Sequence, residues 1–189
     1  RSFVLAVSVI SAWPRAVDAQ GQPTSINGAT KSARAVRVAT APAIDGKLDD
    51  AVWAQAEPIT DFHQIRPGDH TPTTERTEVY VVYTSDALYI GARMFDPEPS
   101  KIAAPTVRHG QGLGRDDRLV VIIDPFGTRR SGYRFETNLH AVRHEALHDN
   151  PDSFNVNWTA IWDTAAVAFD KGWTAELRSE EHTSELQSP

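Results

Sequence analysis

The amino-acid sequence predicts an all-β fold, an antiparallel β-sandwich of the immunoglobulin-like or jelly-roll type with one short helix. Short runs rich in Val, Ile, Tyr and Phe recur through the middle of the chain, and Gly, Pro and Asp separate them. A helical pattern occurs there only once. Many short strands with turn signals between them and little helix are typical of two sheets packed face to face.

The first half of this region contains the clearest β signal and the single helical one. Residues 49–56 favour a helix, because Asp49 and Asp50 stand at its positive end while Val52 and Trp53 form an apolar anchor. Further along, two β-rich runs are joined by only four residues, which is the spacing of a hairpin. The other predicted elements are strands at 36–39 and 59–62, a Pro- and Gly-containing loop at 63–74, and the hairpin strands 78–83 and 88–94.

The second half predicts five more strands. The apolar run at 119–123 ends at Asp124 and Pro125, which favour a turn. Asp170, Lys171 and Gly172 form the turn of a final hairpin. The predicted strands are 119–123, 133–138, 143–147, 165–169 and 173–177.

The start of the chain predicts a targeting segment ahead of the domain. Residues 3–10 are an apolar run too short to span a bilayer, and Val17 and Ala19 supply the small residues that signal peptidase needs. We therefore expect a truncated signal peptide at 1–19, cleaved after Ala19, and a polar leader at 20–35. The alternative is a buried N-terminal strand.

The end of the chain predicts a segment that is not native. Residues 178–188 resemble the translation of a common sequencing-library adapter, so we expect a non-native tail at 178–189 and a sequence that is a fragment. This tail holds one aliphatic residue, Leu186, and no aromatic residue. It has little apolar area to offset the entropy of ordering, so we expect it to be exposed and without stable contacts to the domain at 36–177.

Charge and cysteine content restrict the partners and the source of stability. The chain carries a net charge of −6 and no cysteine. A negative domain is a poor partner for nucleic acid or an anionic membrane, because both bind basic patches. Without disulfides, residues 36–177 depend on one hydrophobic core, and their number suits a single domain.

Four segments, taken in order along the chain, resemble the family 9 carbohydrate-binding modules. They are IDGKLDDAVW at 44–53, ALYIG at 87–91, DDRL at 116–119 with IDP at 123–125, and WD at 162–163 with GWTAE at 172–176. The resemblance implies a β-sandwich that binds sugar without cleaving it, sometimes with structural calcium. It also implies that the last strands of the fold lie beyond Leu177.

The most similar variant of that family stands at the N-terminus of long secreted proteins, often ahead of an outer-membrane β-barrel. This implies an exported protein of the periplasm or outer membrane that binds an oligo- or polysaccharide, linked to carbohydrate catabolism through a downstream region. Two alternatives remain. One is a periplasmic docking or plug domain of the barrel without sugar affinity, and the other is the accessory domain of a glycoside hydrolase.

The sugar-site candidates lie in one polar stretch with aromatic residues. Sugar sites pair an aromatic platform with amides or an arginine that donates two hydrogen bonds. Trp158 and Trp162 are the candidate platforms, Asn155 and Asn157 the candidate amides, and Arg129 the candidate arginine. The alternative for Trp162 is a place in the core.

Asp116 and Asp117 are candidate calcium ligands, because calcium prefers hard oxygen donors. Adjacent residues of a strand point to opposite faces, however, so these two carboxylates would not share one site. The alternative is a solvated turn ahead of a strand.

The segment from His144 to His148 is a literal HExxH motif, four residues after His140. On a helix its two histidines would share a face and could bind zinc, with Glu145 as general base. Pro151 stops such a helix, and on a strand the histidines would lie about 13 Å apart, too far for one ion. We therefore expect a strand, with a zinc peptidase as the alternative. No Gly-x-Ser-x-Gly motif supports a serine hydrolase.

Overall fold

Two five-stranded sheets and one small hairpin carry the fold. The computed structural model describes residues 32–64, 71–150 and 153–180, together with the backbone of the strand at 2–7. The strands are β1 (Ser2–Val7), β2 (Val36–Arg37), β3 (His63–Gln64), β4 (Thr71–Pro72), β5 (Thr77–Tyr83), β6 (Leu88–Phe95), β7 (Arg118–Ile123), β8 (Gly132–Asn138), β9 (His144–Asn150), β10 (Ser153–Asn155), β11 (Trp162–Phe169) and β12 (Gly172–Ser179).

Sheet A has the order β1-β7-β8-β9-β10 and sheet B the order β11-β12-β6-β5-β2, while β3 pairs with β4. The interior pairs of both sheets are antiparallel. β1 and β2 instead run parallel to β7 and β5 at the sheet edges. The predicted all-β antiparallel sandwich is therefore confirmed, with a parallel pair added at one edge of each sheet.

The main core lies between the two sheets, because alternate residues of each strand point inward. In β5, Val79 and Val81 belong to this core, whereas Tyr80 between them and Val82 after them pack on the outer face. Phe135 of β8 is fully buried and contributes from sheet A. The other buried members are Leu88, Ile90, Ala92, Met94, Leu119, Val121, Ile123, Trp162, Trp173, Ala175 and Leu177.

A second, smaller core covers the outer face of sheet B. The segment that precedes β3 crosses this face, and Trp53 at its centre is buried against Val82 and Tyr89. The predicted helix at 49–56 is reduced to turns and one 3-10 turn, Trp53–Gln55. A single turn is enough to place the indole, and Pro58 soon follows, which disfavours a longer helix.

Glu176 of β12 joins this covering segment to sheet B. Its side chain is fully buried and points outward, opposite the core residues on either side of it. One carboxylate oxygen accepts hydrogen bonds from the backbone N–H groups of Asp45 (3.0 Å) and Gly46 (2.8 Å). The other accepts one from Trp53 Nε1 at 2.9 Å. The segments at 44–53 and 172–176, far apart in sequence, therefore form one structural unit.

The predicted strand at 59–62 does not form. Only Ile59 pairs there, in an isolated antiparallel β-bridge with Val79. The predicted loop at 63–74 contains the short pair of β3 and β4, and residues 65–70 lie outside the described part of the chain. The two predicted hairpins are confirmed by the pairing of β5 with β6 and of β11 with β12.

The final strand runs past the expected end of the domain. In β12, Arg178 pairs with Asp163 and Tyr89, and Ser179 is fully buried. The expectation that the tail makes no stable contact is therefore wrong for these two residues, because strand pairing continues wherever both neighbouring strands continue. Residues 181–189 lie outside the described part, and their adapter origin stays a prediction.

The expected signal peptide overlaps β1, which pairs with β7, while residues 8–19 lie outside the described part. The signal peptide therefore stays a prediction. Among the residues that the structure describes, no helix has the length and apolar character needed to cross a bilayer.

Candidate functional site

Trp158, the first predicted platform, lies against the side of the main core. Its ring stacks on Tyr133 with centroids 5.1 Å apart and planes 10° apart, and it meets Phe135 at 6.3 Å in an edge-on arrangement. The residue is half-buried and packs against the core. One face of the indole is thus covered by Tyr133, and only the rest of the ring is available to a ligand.

The predicted polar partners lie at the same end of sheet A as Trp158. Asn155 and Asn157 are exposed, and the Asn157 N–H donates to Asn155 Oδ1 at 2.9 Å. Arg129 lies in the loop between β7 and β8, with a φ of 58°, and its N–H donates to Asp124 Oδ2 at 2.6 Å. The register of β8, β9 and β10 places Tyr133 and Asn155 in one row, beside that loop.

Trp162, the second predicted platform, is a core residue. It is 5% exposed, its ring centroid lies 5.2 Å from that of Phe135, and Nε1 donates to Glu145 Oε2 at 3.1 Å. The interpretation of Trp162 as a sugar platform is therefore wrong, because the main core covers its ring. The alternative reading, a place in the core, is the correct one.

The HExxH motif lies on strand β9 and does not form a zinc site. Glu145 points toward the core and accepts a hydrogen bond from Trp162. His144 and His148 point to the outer face, where His144 Nδ1 lies 3.6 Å from Glu136 Oε1 and His148 packs on Phe154 at 5.5 Å. The zinc-peptidase alternative is wrong, because a strand sends its general base and its ligands to opposite faces.

The two candidate calcium ligands anchor a loop instead. Asp116 is buried, and its carboxylate accepts hydrogen bonds from Thr106 N (3.1 Å), Thr106 Oγ1 (2.8 Å) and Asn138 Nδ2 (2.7 Å). Asp117 Oδ2 accepts one from Ala103 N at 2.8 Å. Both oxygens of Asp116 and Oδ2 of Asp117 therefore serve as hydrogen-bond acceptors, and calcium binding here stays a prediction. Among the described residues, no cluster of three His, Asp or Glu side chains is placed to bind a metal.

A polar cleft of about 420 Å³ lies above this network, in the loop between β6 and β7. Backbone and side-chain hydrogen-bonding groups line it, from Thr106, Gln111, Gly112, Gly114 and Arg115. Leu113 is buried and holds the loop down. Sequence reasoning missed this cleft; its signal is the run HGQGLGR at 109–115, in which glycines alternate with larger residues.

The cleft is at the opposite end of sheet A from Trp158. The Gly110 N–H donates to the Arg143 carbonyl at 2.8 Å, and the Arg143 N–H donates to His109 Nδ1 at 3.0 Å. These bonds tie the loop to the connection between β8 and β9. The structure therefore offers two separate surfaces, an aromatic one at Trp158 and a polar one at the cleft.

A charged cluster on the outer face of sheet A lies next to the cleft. Glu136 is buried. Its Oε1 lies 2.5 Å from Arg134 Nε, and its Oε2 lies 3.4 Å from Arg118 Nε. Burial raises the pKa of this carboxyl, but His144 and the two arginines outweigh burial and hold the pKa below its ordinary value. Glu136 therefore remains ionised at neutral pH.

The model of the family described as "Carbohydrate family 9 binding domain-like" matches residues 44–188. A family 9 carbohydrate-binding module from Caldicellulosiruptor kristjanssonii is similar in its complex with glucose (TM-score 0.53, 17% identity, 77% of this chain and 68% of that chain) and in its complex with cellotriose (TM-score 0.50, 16% identity, 77% and 67%).

A third structure has a TM-score of 0.60 at 10% identity, over 82% of this chain and 75% of that chain. It is a protein from Bacteroides uniformis named as a candidate carbohydrate-binding protein. At these identities the structural similarity shows the fold alone. None of the curated proteins matches the chain significantly.

Proposed function

Because the chain belongs to the carbohydrate family 9 binding domain-like family, we propose that it binds an oligo- or polysaccharide without cleaving it, at the polar cleft between β6 and β7. The observation that supports this location is the cleft itself, a cavity of about 420 Å³ lined by an arginine, a glutamine, a threonine and two glycines. Sugar hydroxyls require many hydrogen-bonding groups within a small volume, and exposed backbone at glycines adds to those groups.

The hydrogen bonds beneath the cleft keep its floor in place. Thr106 lines the cleft and donates from both its backbone and its side chain to Asp116. Asn138 of β8 donates to the same carboxylate and to the Thr106 carbonyl at 2.9 Å. A binding residue held by a buried network loses little conformational entropy when a ligand arrives, which favours binding.

The first prediction concerns sugar affinity. Calorimetric titration with neutral and acidic mono- and oligosaccharides, starting with glucose and cellotriose, is expected to give at least one saturable response. Arg115→Ala and Gln111→Ala should each weaken the best response about tenfold, because each removes hydrogen bonds to the ligand. Arg130→Ala is the matched control, since it removes an exposed arginine from the loop between β7 and β8.

Two other results would change the proposal. If Trp158→Ala abolishes sugar binding and Arg115→Ala leaves the affinity unchanged, the binding site is the Trp158 surface and not the cleft. No response to any sugar would favour the second candidate function, a docking domain for a protein partner. Exposed apolar side chains in the β7–β8 loop, in β10 and between β10 and β11 favour that candidate; they are Phe126 (61%), Phe154 (48%), Val156 (54%) and Ile161 (65%).

We also propose that the protein is exported to the periplasm or the outer membrane, with residues 1–19 removed. The apolar run at 3–10 and the small residues Val17 and Ala19 support this proposal. Protein recovered from the periplasmic fraction is expected to begin at Gln20 when its N-terminus is sequenced. Cytoplasmic protein that keeps residues 1–19 would contradict export.

A further inference from the structure

The cleft is basic although the chain as a whole is acidic. Among the described residues that line it, Arg115 is the one with a charged side chain. A second guanidinium lies close by, because Arg118 Nη1 is 4.0 Å from the position that a Cβ would take at Gly114, which also lines the cleft. Two arginines therefore flank Gly114, in a protein with a net charge of −6.

Among the described residues, the carboxylates next to the cleft in sequence, Asp116 and Asp117, are engaged elsewhere and do not neutralise this charge. Asp116 accepts hydrogen bonds from Thr106 and Asn138 beneath the floor. Asp117 accepts one from the backbone of Ala103. Both therefore hold the loop in place and do not line the cleft.

Glu136 is shared by two arginines, so the cluster beside the cleft keeps one positive charge. Arg134 makes the closer ion pair with it, at 2.5 Å against 3.4 Å for Arg118. Arg118 Nε makes no hydrogen bond with any described residue, although it is buried. Its ion pair with Glu136 is therefore not a hydrogen bond, and an anion nearby would stabilise this buried guanidinium further.

The loop that forms the cleft adds further basic groups. His109 Nδ1 accepts a hydrogen bond from the Arg143 N–H, so when the ring is neutral its Nε2 carries the hydrogen and can donate. Arg108 is exposed one residue earlier. The charged side chains that flank the cleft are thus arginines, and positive charge favours a negative ligand.

We propose that the cleft prefers an acidic sugar. Arg115 binds the carboxylate of a uronic acid directly, and the positive charge of Arg118 attracts the same carboxylate electrostatically. This rests on the proposed function, because it names the class of sugar that the same cleft binds. A guanidinium matches a carboxylate with two parallel hydrogen bonds, whereas a neutral hydroxymethyl group at that position accepts at most one strong bond.

The test compares ligands that differ in charge and little else. The full chain is titrated by calorimetry with a galacturonic acid trisaccharide and with its methyl ester, which keeps the ring and removes the charge. The acid is expected to bind about tenfold more tightly at low ionic strength. Raising the salt to about 0.5 M should remove most of that preference. At this ionic strength, salt screens the attraction between the exposed Arg115 and the ligand carboxylate.

Two variants of Arg115 and one control variant locate the effect. Arg115→Ala should abolish the preference for the acid, and Arg115→Lys should keep part of it, because lysine retains the charge and loses the two-bond geometry. Arg130→Ala removes the same charge at the opposite end of sheet A and should leave the preference intact. Arg115 and Arg130 are both exposed, so neither substitution disturbs the core.

The outcomes separate the two proposals. Equal affinity for acid and ester, or tighter binding of the ester, would overturn the acidic preference and leave sugar binding standing. A preference that survives Arg115→Ala would overturn its assignment to this cleft. A sulfated galactose oligosaccharide that binds more tightly than the uronic acid would overturn the choice of a carboxylate. No binding by any of these sugars or the neutral panel would overturn the proposed function itself.

Discussion

Replacing Glu176 with alanine is expected to lower the free energy of unfolding by about 3–5 kcal/mol, the scale seen when one partner of a buried charged network is removed. The carboxylate is fully buried and accepts hydrogen bonds from Asp45 N, Gly46 N and Trp53 Nε1. Its truncation leaves three donors without a partner and a cavity between sheet B and its covering segment. Urea unfolding followed by tryptophan fluorescence measures the loss.

Glu176→Gln is the matched control, because it keeps the shape and one acceptor oxygen. Its loss at pH 7 is expected to be smaller, about 1–2 kcal/mol. Burial raises the pKa of Glu176 above its ordinary 4.5, against the lowering by hydrogen bonds from Gly46, Asp45 and Trp53. The ionised form is therefore less favourable in the folded state than in the unfolded one.

The sign of the pH dependence follows from that raised pKa. The contribution of the protonated carboxyl to stability is fully present below pH 4.5 and is lost as the pH rises through the folded-state pKa. The wild type should therefore gain stability relative to Glu176→Gln between pH 7 and pH 4. A difference between the two proteins that does not change with pH, or a loss below about 0.5 kcal/mol for Glu176→Ala, would contradict this account.

Replacing Gly172 with alanine is expected to cost more than about 3 kcal/mol, because a Cβ at this position has no space and the backbone is strained. Its φ is 145°, and a Cβ would lie 2.0 Å from the Met94 carbonyl oxygen and 2.9 Å from Phe95 Cα. Both contacts are with the backbone of β6, the strand that pairs with β12. An alanine would push β12 away from β6, the central strand of sheet B.

Gly127→Ala is the control for backbone conformation alone. Gly127 has a φ of 63°, but nothing lies within 4 Å of the position that its Cβ would take. Its substitution should cost only the strain of a left-handed residue, about 1 kcal/mol. Chemical denaturation of the two variants measures the difference, and equal losses would show that the close approach of β6 does not explain the glycine at position 172.

Local pattern predicted the long strands β5 to β9, β11 and β12, because such a strand needs only a run of suitable residues and a turn at each end. The hairpin of β5 and β6 and that of β11 and β12 were both predicted within a few residues. The end of β12 was placed too early, at Leu177 instead of Ser179, because strand length depends on the neighbouring strands. The helix at 49–56 was overpredicted, since Trp53 needs only one turn to reach its place on sheet B.

The sequence by itself therefore determined the fold class and the positions of the long strands, because alternation and turn chemistry act between near neighbours, and its resemblance to the family 9 modules indicated the family. Only the tertiary structure decided which side chains are available. Trp158 and Trp162 stand four residues apart in the same polar stretch, yet one is half-buried and the other lies in the core. The partners of Glu176 lie as much as 131 residues away, and the cleft exists because Asp116 and Asn138 fix a glycine-rich loop above sheet A. Burial, the pairing of donors with acceptors and the shape of a cleft all depend on contacts between distant residues, which no local pattern encodes.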